Sequence, residues 1–117
     1  MILFRITMNV FPEKQLEMMQ TLLSMIEPTT KEAGCISYGV FYDIEDKCRF
    51  NLLQEWETRD DLDHHLASHR FGALLGTKAL LCEPLGIQIL SVPNAEGMNA
   101  IRAARKKKSK DSITGIC

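Results

Sequence analysis

Apolar and polar residues alternate over the first ten positions of the chain. One parity holds Ile2, Phe4, Ile6, Met8 and Val10, and the other holds Leu3, Arg5, Thr7 and Asn9. A period of two puts successive side chains on opposite faces of a strand. The pattern therefore predicts a first strand with one buried face.

The apolar spacing becomes helical after Pro12, which suits the first position of a helix, as Glu13 suits its positive N-terminus. The recurring apolar residues are Leu16, Met19, Leu23 and Ile26. This spacing predicts a long amphipathic helix that buries these four side chains. Pro28 is expected near its end or at a kink, and Gly34 at its stop.

Two runs rich in β-branched and aromatic residues follow. CISYGVFY covers residues 35–42, RFNLLQEWE covers residues 49–57, and the polar segment DIEDK lies between them. The arrangement predicts a β-hairpin. By parity, Tyr38 shares a face with Ile36, Val40 and Tyr42, and Trp56 shares one with Phe50, Leu52 and Gln54.

The next segment carries the signals of helices and a last strand. Thr58 and Asp61 have the spacing of a capping box, which predicts the start of a second helix. FGALLGTKALL predicts a further short helix that Pro84 ends. GIQILSV then predicts a strand that ends at Pro93.

The resulting order, βαββαβ, predicts an α+β, ferredoxin-like protomer over residues 1–93, with both helices on one face of an antiparallel sheet. The other face is then apolar and uncovered, so we expect a homodimer that packs sheet against sheet. Residues 94–117 predict a short C-terminal helix, with Met98, Ile101 and Ala104 at spacing three, and a basic, solvated tail.

Composition narrows the partners. The 117 residues include 14 basic and 15 acidic side chains, a formal net charge of -1, which gives no electrostatic reason to expect nucleic acid or a membrane as partner. We expect a small-molecule substrate and, because no apolar run approaches the roughly 20 residues of a membrane span, a cytoplasmic location. The cysteines, which lack CxxC spacing, are expected to be reduced thiols: Cys35, Cys48, Cys82 and Cys117.

All three histidines, His64, His65 and His69, lie in one segment. Leu62 and Leu66 are four residues apart and share the buried face of the predicted helix, so His65 faces inward or lies at the boundary. Two interpretations stay open for His65. It is either an interior histidine bonded to a backbone carbonyl or a functional group.

The other two histidines have simpler interpretations. His64 lies within one turn of Asp60 and Asp61, which predicts a solvated partner of those carboxylates. His69 is expected to cap the end of the helix, where a cation suits the dipole. The spacing of the three does not predict a metal site, and no phosphate loop, Rossmann fingerprint or GxSxG elbow is present.

The segment GCISYGVFYDIEDKCRFNLLQEWETRDDLDHHLASHRFGALL resembles the antibiotic biosynthesis monooxygenase domain family, and the resemblance extends over residues 2–92. The specific positions are Gly34, Cys35, Tyr38, Glu55, Trp56, Leu62, His65, Leu66, Ser68 and Phe71. The resemblance implies a dimeric α+β barrel with a pocket in each protomer between its helices and its sheet. It leaves the reaction open, since members of the family oxygenate, degrade haem or isomerise small metabolites.

Haem is not expected as a cofactor. Haem-degrading members of the family hold iron with a histidine one helical turn after the phenylalanine that matches Phe71, where this chain has Leu75. They also carry a tryptophan at the position of His65. Both departures fall at the reacting centre of those members.

The leading hypothesis is a cofactor-independent monooxygenase that acts on a small electron-rich aromatic, such as a quinol, with molecular oxygen. His65 is the predicted base, because imidazole has an ordinary pKa of about 6.5, and Tyr38, Trp56 and Phe71 are the predicted substrate-binding residues. Two alternatives stay open, an isomerase of a small hydroxycarbonyl compound and a non-catalytic dimer that binds a small ligand.

Overall fold

The computed structural model describes the backbone of residues 1–115 and the side-chain exposure of residues 1–108. Its elements are β1 (Ile2–Asn9), α1 (Gln15–Thr30), β2 (Cys35–Tyr42), β3 (Arg49–Trp56), α2 (Arg59–Leu66), α3 (His69–Leu75), β4 (Gly86–Ser91) and α4 (Met98–Gly115), with 3-10 turns at Pro12–Lys14 and Gly76–Leu80. The four strands form one antiparallel sheet in the order β2-β3-β1-β4. The predicted ferredoxin-like fold is confirmed.

The first strand lies at the centre of the sheet, between β3 and β4. Its buried side chains are Phe4, Ile6, Met8 and, at a bridge just beyond the strand, Val10. Phe50, Leu52, Gln54 and Trp56 of β3 are buried on the same face. The alternation of apolar residues therefore predicted the buried face of both central strands correctly.

The predicted buried face of the first helix is wrong for Leu16 and Leu23, whereas Met19 and Ile26 are partly buried. The side chains that α1 buries are Met18, Leu22 and Thr29, whereas Leu16 and Leu23 are 59% and 56% exposed. The 3-10 turn at Pro12–Lys14 precedes α1. Apolar residues occur on several sides of this helix, so spacing alone did not select the face that packs.

The hairpin of β2 and β3 is confirmed, with one irregularity. The pairing steps from Cys35 opposite Trp56 to Ser37 opposite Glu55, so Ile36 is an extra residue in a β-bulge. Ile36 is consequently exposed and does not share the face of Tyr38. The prediction from parity that Ile36 shares the face of Tyr38 is therefore wrong, and Cys35 is the residue that pairs with Trp56.

Both helices after the hairpin begin at hydroxyl caps. The Thr58 side chain accepts a hydrogen bond from the Asp61 backbone N–H, and Ser68 accepts one from that of Phe71, as expected of N-cap residues. Since α3 begins at His69, this exposed residue opens a new helix. Its predicted role as a cap at the end of the preceding helix is wrong.

The open face of the sheet is more polar than predicted. Hydrogen-bonded pairs cross it, among them Arg5 with Gln88, Thr7 with Asn51 and Ser37 with Glu55. Apolar side chains on this face are Leu3, Phe41, Leu53 and Leu90. The sheet is therefore of mixed character rather than apolar, and the homodimer stays a prediction.

The C-terminal helix is longer than the short helix predicted, because α4 continues to Gly115. Met98 and Ile101 on it are exposed, so this face of α4 is not packed on the body of the protomer. The end of the predicted solvated tail, residues 116–117, lies outside the described residues. Within residues 1–115, no helix has both the length and the apolar character needed to span a membrane.

Candidate functional site

His65 lies inside the protomer. It projects from the inward face of α2 beside the fully buried Leu62, and its side chain is only 3% exposed. His64, on the same helix, is exposed, and its Nδ1 lies 3.0 Å from the backbone carbonyl of Asp60 rather than on the neighbouring carboxylates. Of these two histidines, only His65 is inside, as the helical spacing predicted.

Two aromatic rings hold the imidazole of His65. The Trp56 ring from β3 lies 4.9 Å away, centroid to centroid, at an interplanar angle of 32°. The Phe71 ring from α3 lies 5.5 Å away and meets it edge to face. The structure thus brings together three residues that the sequence nominated, from three different elements.

The hydrogen-bond partner of His65 is a carboxylate and not a backbone carbonyl. His65 Nδ1 lies 2.9 Å from Glu32 Oε2 and 3.1 Å from Oε1. Arg70 Nη1 also donates to Glu32 Oε2, at 2.9 Å. The exposed fraction of the side chain is 3% for His65, 20% for Glu32 and 35% for Arg70, so this polar cluster extends from the interior to the surface.

Sequence reasoning missed both Glu32 and Arg70. Glu32 is 33 residues from His65 in the chain, and it belongs to the polar segment between α1 and β2. The sequence analysis singled out Gly34 nearby, as the expected stop of the first helix and as a position of the family resemblance. Gly34 has φ of +80°, and a Cβ there would collide with the Asp61 side chain. Glycine therefore lets the segment that carries Glu32 close against α2.

Tyr38 belongs to the same neighbourhood. Burial, and then the charges of Cys35 and Glu32, raise the pKa of Tyr38 to about 12. Burial, and then Glu32, also raise the pKa of the Cys35 thiol. Near neutral pH, Tyr38 is therefore a phenol that can donate a hydrogen bond, and neither residue is suited to act as a base.

A buried amide lies on the far side of Trp56. The Trp56 Nε1–H donates to Gln54 Oε1 at 2.9 Å, which fixes the orientation of the Gln54 side chain. Gln54 Nε2 is enclosed and has no protein partner among the residues whose side chains the structure describes. Gln54 pairs across the sheet with Tyr38 on one side and with Phe4 on the other. Gln54 lies on the buried face of the sheet, together with Trp56.

Two cavities differ in their relation to this cluster. A cavity of about 250 Å³ is lined by Glu32, Ala33, Asp61 and His64, so it borders Glu32 and not His65 itself. A larger one, of about 630 Å³, is lined by Leu75, Lys78, Leu81, Cys82, Glu83, Pro84 and Leu85. The larger cavity borders none of the nominated residues. The small cavity is the one that adjoins the chemistry.

Metal ligands do not cluster in this region. Over the part of the chain that the structure describes, no group of three or more His, Cys, Asp or Glu side chains has the arrangement of a metal site. Leu75, one helical turn after Phe71, is 46% exposed and lines the larger cavity.

Comparison with known proteins identifies the family. The model of the antibiotic biosynthesis monooxygenase family matches residues 1–75, which contain the cluster of His65, Glu32 and Arg70. The chain belongs to this family. The predicted resemblance is thus confirmed.

Solved structures show the same fold. A conserved protein of Methanosarcina mazei Go1 is 34% identical, with 76% of this chain and 89% of that one covered and a TM-score of 0.72. A candidate antibiotic biosynthesis monooxygenase of Deinococcus radiodurans is 23% identical, with 83% and 97% covered and a TM-score of 0.77.

An uncharacterized protein of Synechocystis, sll1783, is 29% identical over 89 residues, which are 75% of this chain. The match spans 60% of the length of that relative.

Proposed function

We propose that this member of the antibiotic biosynthesis monooxygenase family is a cofactor-independent monooxygenase of small electron-rich aromatics, with His65 as its base. One observation supports the proposal most directly. His65 is a buried imidazole, held by Trp56 and Phe71, whose Nδ1 is occupied by Glu32. The ring hydrogen bonds that His65 makes within the described residues run through Nδ1, which leaves Nε2 as the ring nitrogen available to a substrate.

The proposed reaction begins with proton transfer. Nε2 of a neutral imidazole takes the hydroxyl proton of a quinol, and the electron-rich anion then reduces oxygen directly. One oxygen atom enters the ring and the other leaves as water, so that quinol and O₂ give a hydroxyquinone and H₂O. The four electrons that O₂ accepts come from the substrate. The reaction therefore needs no metal or flavin as an electron carrier.

The remaining nominated residues shape the site. Trp56 and Phe71 provide apolar walls that exclude water from the anion, and Tyr38, which stays protonated because its pKa is about 12, donates a hydrogen bond to a substrate oxygen. Tyr38 needs to remain a phenol for this role. Substrate reaches Nε2 after side-chain movement, because His65 is almost fully buried and the adjoining cavity borders Glu32 and not His65 itself.

Oxygen consumption tests the proposal. Purified protein is mixed with a panel of benzene- and naphthalene-derived quinols under air, and oxygen uptake and hydroxyquinone are measured against protein-free autoxidation. His65→Ala should lower turnover by about 10² to 10⁴, the usual contribution of a general base. His69→Ala is the matched control, because His69 is exposed and outside the cluster. Equal rates for the wild type and a folded His65→Ala variant would contradict the proposal.

The two alternatives give different results in the same assay. An isomerase converts a small hydroxycarbonyl compound without oxygen uptake, and a ligand-binding dimer shows saturable binding without turnover. The proposal also includes a cytoplasmic homodimer that is isolated without metal, haem or flavin. Elemental analysis and a visible absorption spectrum of the purified protein test the cofactor component.

A further inference from the structure

We propose that Glu32 is a positioning residue that fixes the tautomer of His65, keeping the proton on Nδ1 and leaving Nε2 as the proton acceptor. The inference deepens the proposed function, on which it rests for the identity of the base. It is carried by a contact between residues of two distant segments. Both oxygens of Glu32 lie within 3.1 Å of His65 Nδ1.

Donor and acceptor chemistry determines the direction of this hydrogen bond. Glu32 is in an ion pair with Arg70, in which a guanidinium nitrogen donates to Oε2 at 2.9 Å. A carboxylate accepts hydrogen bonds and has no proton to give. The Nδ1 atom of His65 must therefore be the donor, and in a neutral imidazole the lone pair then lies on Nε2.

The surroundings of the ring leave this role to Glu32. Trp56 and Phe71 fix the plane of the imidazole through contacts between aromatic rings. Such apolar contacts do not determine which of the two ring nitrogens carries the proton. Only a hydrogen-bonding partner makes that distinction. The same carboxylate also stabilises the imidazolium that forms when Nε2 accepts a proton, because the new positive charge lies beside a negative one.

Arg70 contributes indirectly. Its guanidinium holds the Glu32 carboxylate from the side of α3, one residue before the Phe71 ring that touches His65. An extended polar chain thus runs from Arg70 through Glu32 to Nδ1. Each member restricts the rotamers of the next, as outer partners of a reactive histidine commonly do.

Nitrogen-15 NMR of histidine-labelled protein tests the inference without substrate. Long-range proton–nitrogen correlations show which ring nitrogen is protonated, and His65→Gln assigns the signals. The wild type should show a protonated Nδ1 and a pyridine-type Nε2. In Glu32→Gln, whose amide can accept or donate, both tautomers should appear. Glu27→Gln is the matched control, because Glu27 makes an exposed ion pair with Lys31 at 2.9 Å.

Kinetics with an active quinol provide a second readout. Glu32→Gln should lower kcat by about 10- to 100-fold and change KM by less than about 3-fold, because the interaction lost acts on the base rather than on substrate binding. In Glu32→Ala, added formate should restore part of the rate by occupying the small cavity that Glu32 lines, and chloride should not.

The outcomes separate the two claims. A wild-type His65 protonated on Nε2 overturns the inference even if every variant fails to fold, and so does a Glu32→Gln protein that keeps the Nδ1 proton and full kcat. A tautomer that changes with Glu32, in a protein that consumes no oxygen with any quinol, supports the positioning role and overturns the proposed function instead.

Discussion

Substituting Gly34 by alanine tests how the site is assembled. Gly34 has φ of +80°, a region that costs a residue with a side chain about 1–2 kcal/mol. A Cβ at this position would also overlap the side chain of Asp61, which accepts a hydrogen bond from the Thr58 hydroxyl at 2.8 Å. Displacing Asp61 removes that bond, and hydrogen bonds to charged groups contribute about 1.5–3 kcal/mol, less at an exposed helix end. We therefore expect a loss of about 2–4 kcal/mol in the free energy of unfolding.

Urea unfolding measures this loss, and two other glycines provide controls. A Cβ at Gly72 or Gly76 meets nothing within 4 Å, so Gly72→Ala and Gly76→Ala should be neutral or stabilising by about 0.4–1 kcal/mol. Asp61→Ala alone removes the same Thr58 hydrogen bond, so the loss in Gly34→Ala beyond that of Asp61→Ala measures the cost of φ and of the overlap with the Asp61 Cβ. The reasoning is refuted if Gly34→Ala unfolds at the same urea concentration as the wild type.

Gly34→Ala should also act on the site itself. The Gly34 carbonyl accepts a hydrogen bond from the Glu57 N–H at 2.8 Å, which ties the segment carrying Glu32 to the end of β3. A shift of this segment moves the Glu32 carboxylate away from His65. In protein that is still folded, the NMR signals of His65 should therefore show a mixture of tautomers, as in Glu32→Gln.

Three further predictions concern ionisation and assembly. The unfolded chain loses the Tyr38 proton near pH 10, and the folded protein loses it near pH 12. The free energy of unfolding should therefore fall by on the order of 2 kcal/mol between these pH values in the wild type, and this fall should be absent from Tyr38→Phe. Parallel pH profiles of the two proteins would contradict this prediction. Iodoacetamide should alkylate the exposed Cys82 before Cys35, because the raised pKa of Cys35 leaves less of this thiol as thiolate. Peptide mass spectrometry measures both alkylation rates, and equal rates would contradict the prediction. Sedimentation at micromolar concentration should show two chains per particle for the wild type. Leu53→Glu, which places a charge on the open face of the sheet, should give monomers. A monomeric wild type would refute the predicted homodimer.

The sequence predicted the features that depend on local periodicity, such as the buried face of a strand. A strand has only two faces, so one run of alternating residues was sufficient to identify the buried side chains of β1. A helix has a continuous range of faces, and α1 carries apolar residues on more than one of them. Tertiary packing selected Met18 and Leu22 over Leu16 and Leu23, and no spacing within the helix decides between these sets.

The candidate site was predicted in its apolar part and missed in its polar part. His65, Trp56 and Phe71 stood out because their types and positions within regular elements matched a family pattern. Glu32 and Arg70 are ordinary surface residue types, and their importance comes from a contact across 33 and 38 residues of chain. Local patterns carry no information about such a contact, except where a tight approach requires glycine, as at Gly34.

The origin of each side chain explains why the site depends on the whole fold. Glu32 comes from the segment between α1 and β2, Trp56 from β3, His65 from α2, and Arg70 with Phe71 from α3. The imidazole is therefore oriented by three independently placed elements, and a shift of any one changes either the plane of the ring or the partner of Nδ1. Relatives with the same fold can differ in reaction if they alter one of these contributions, because the fold fixes the position of the imidazole and the neighbouring side chains determine its chemistry.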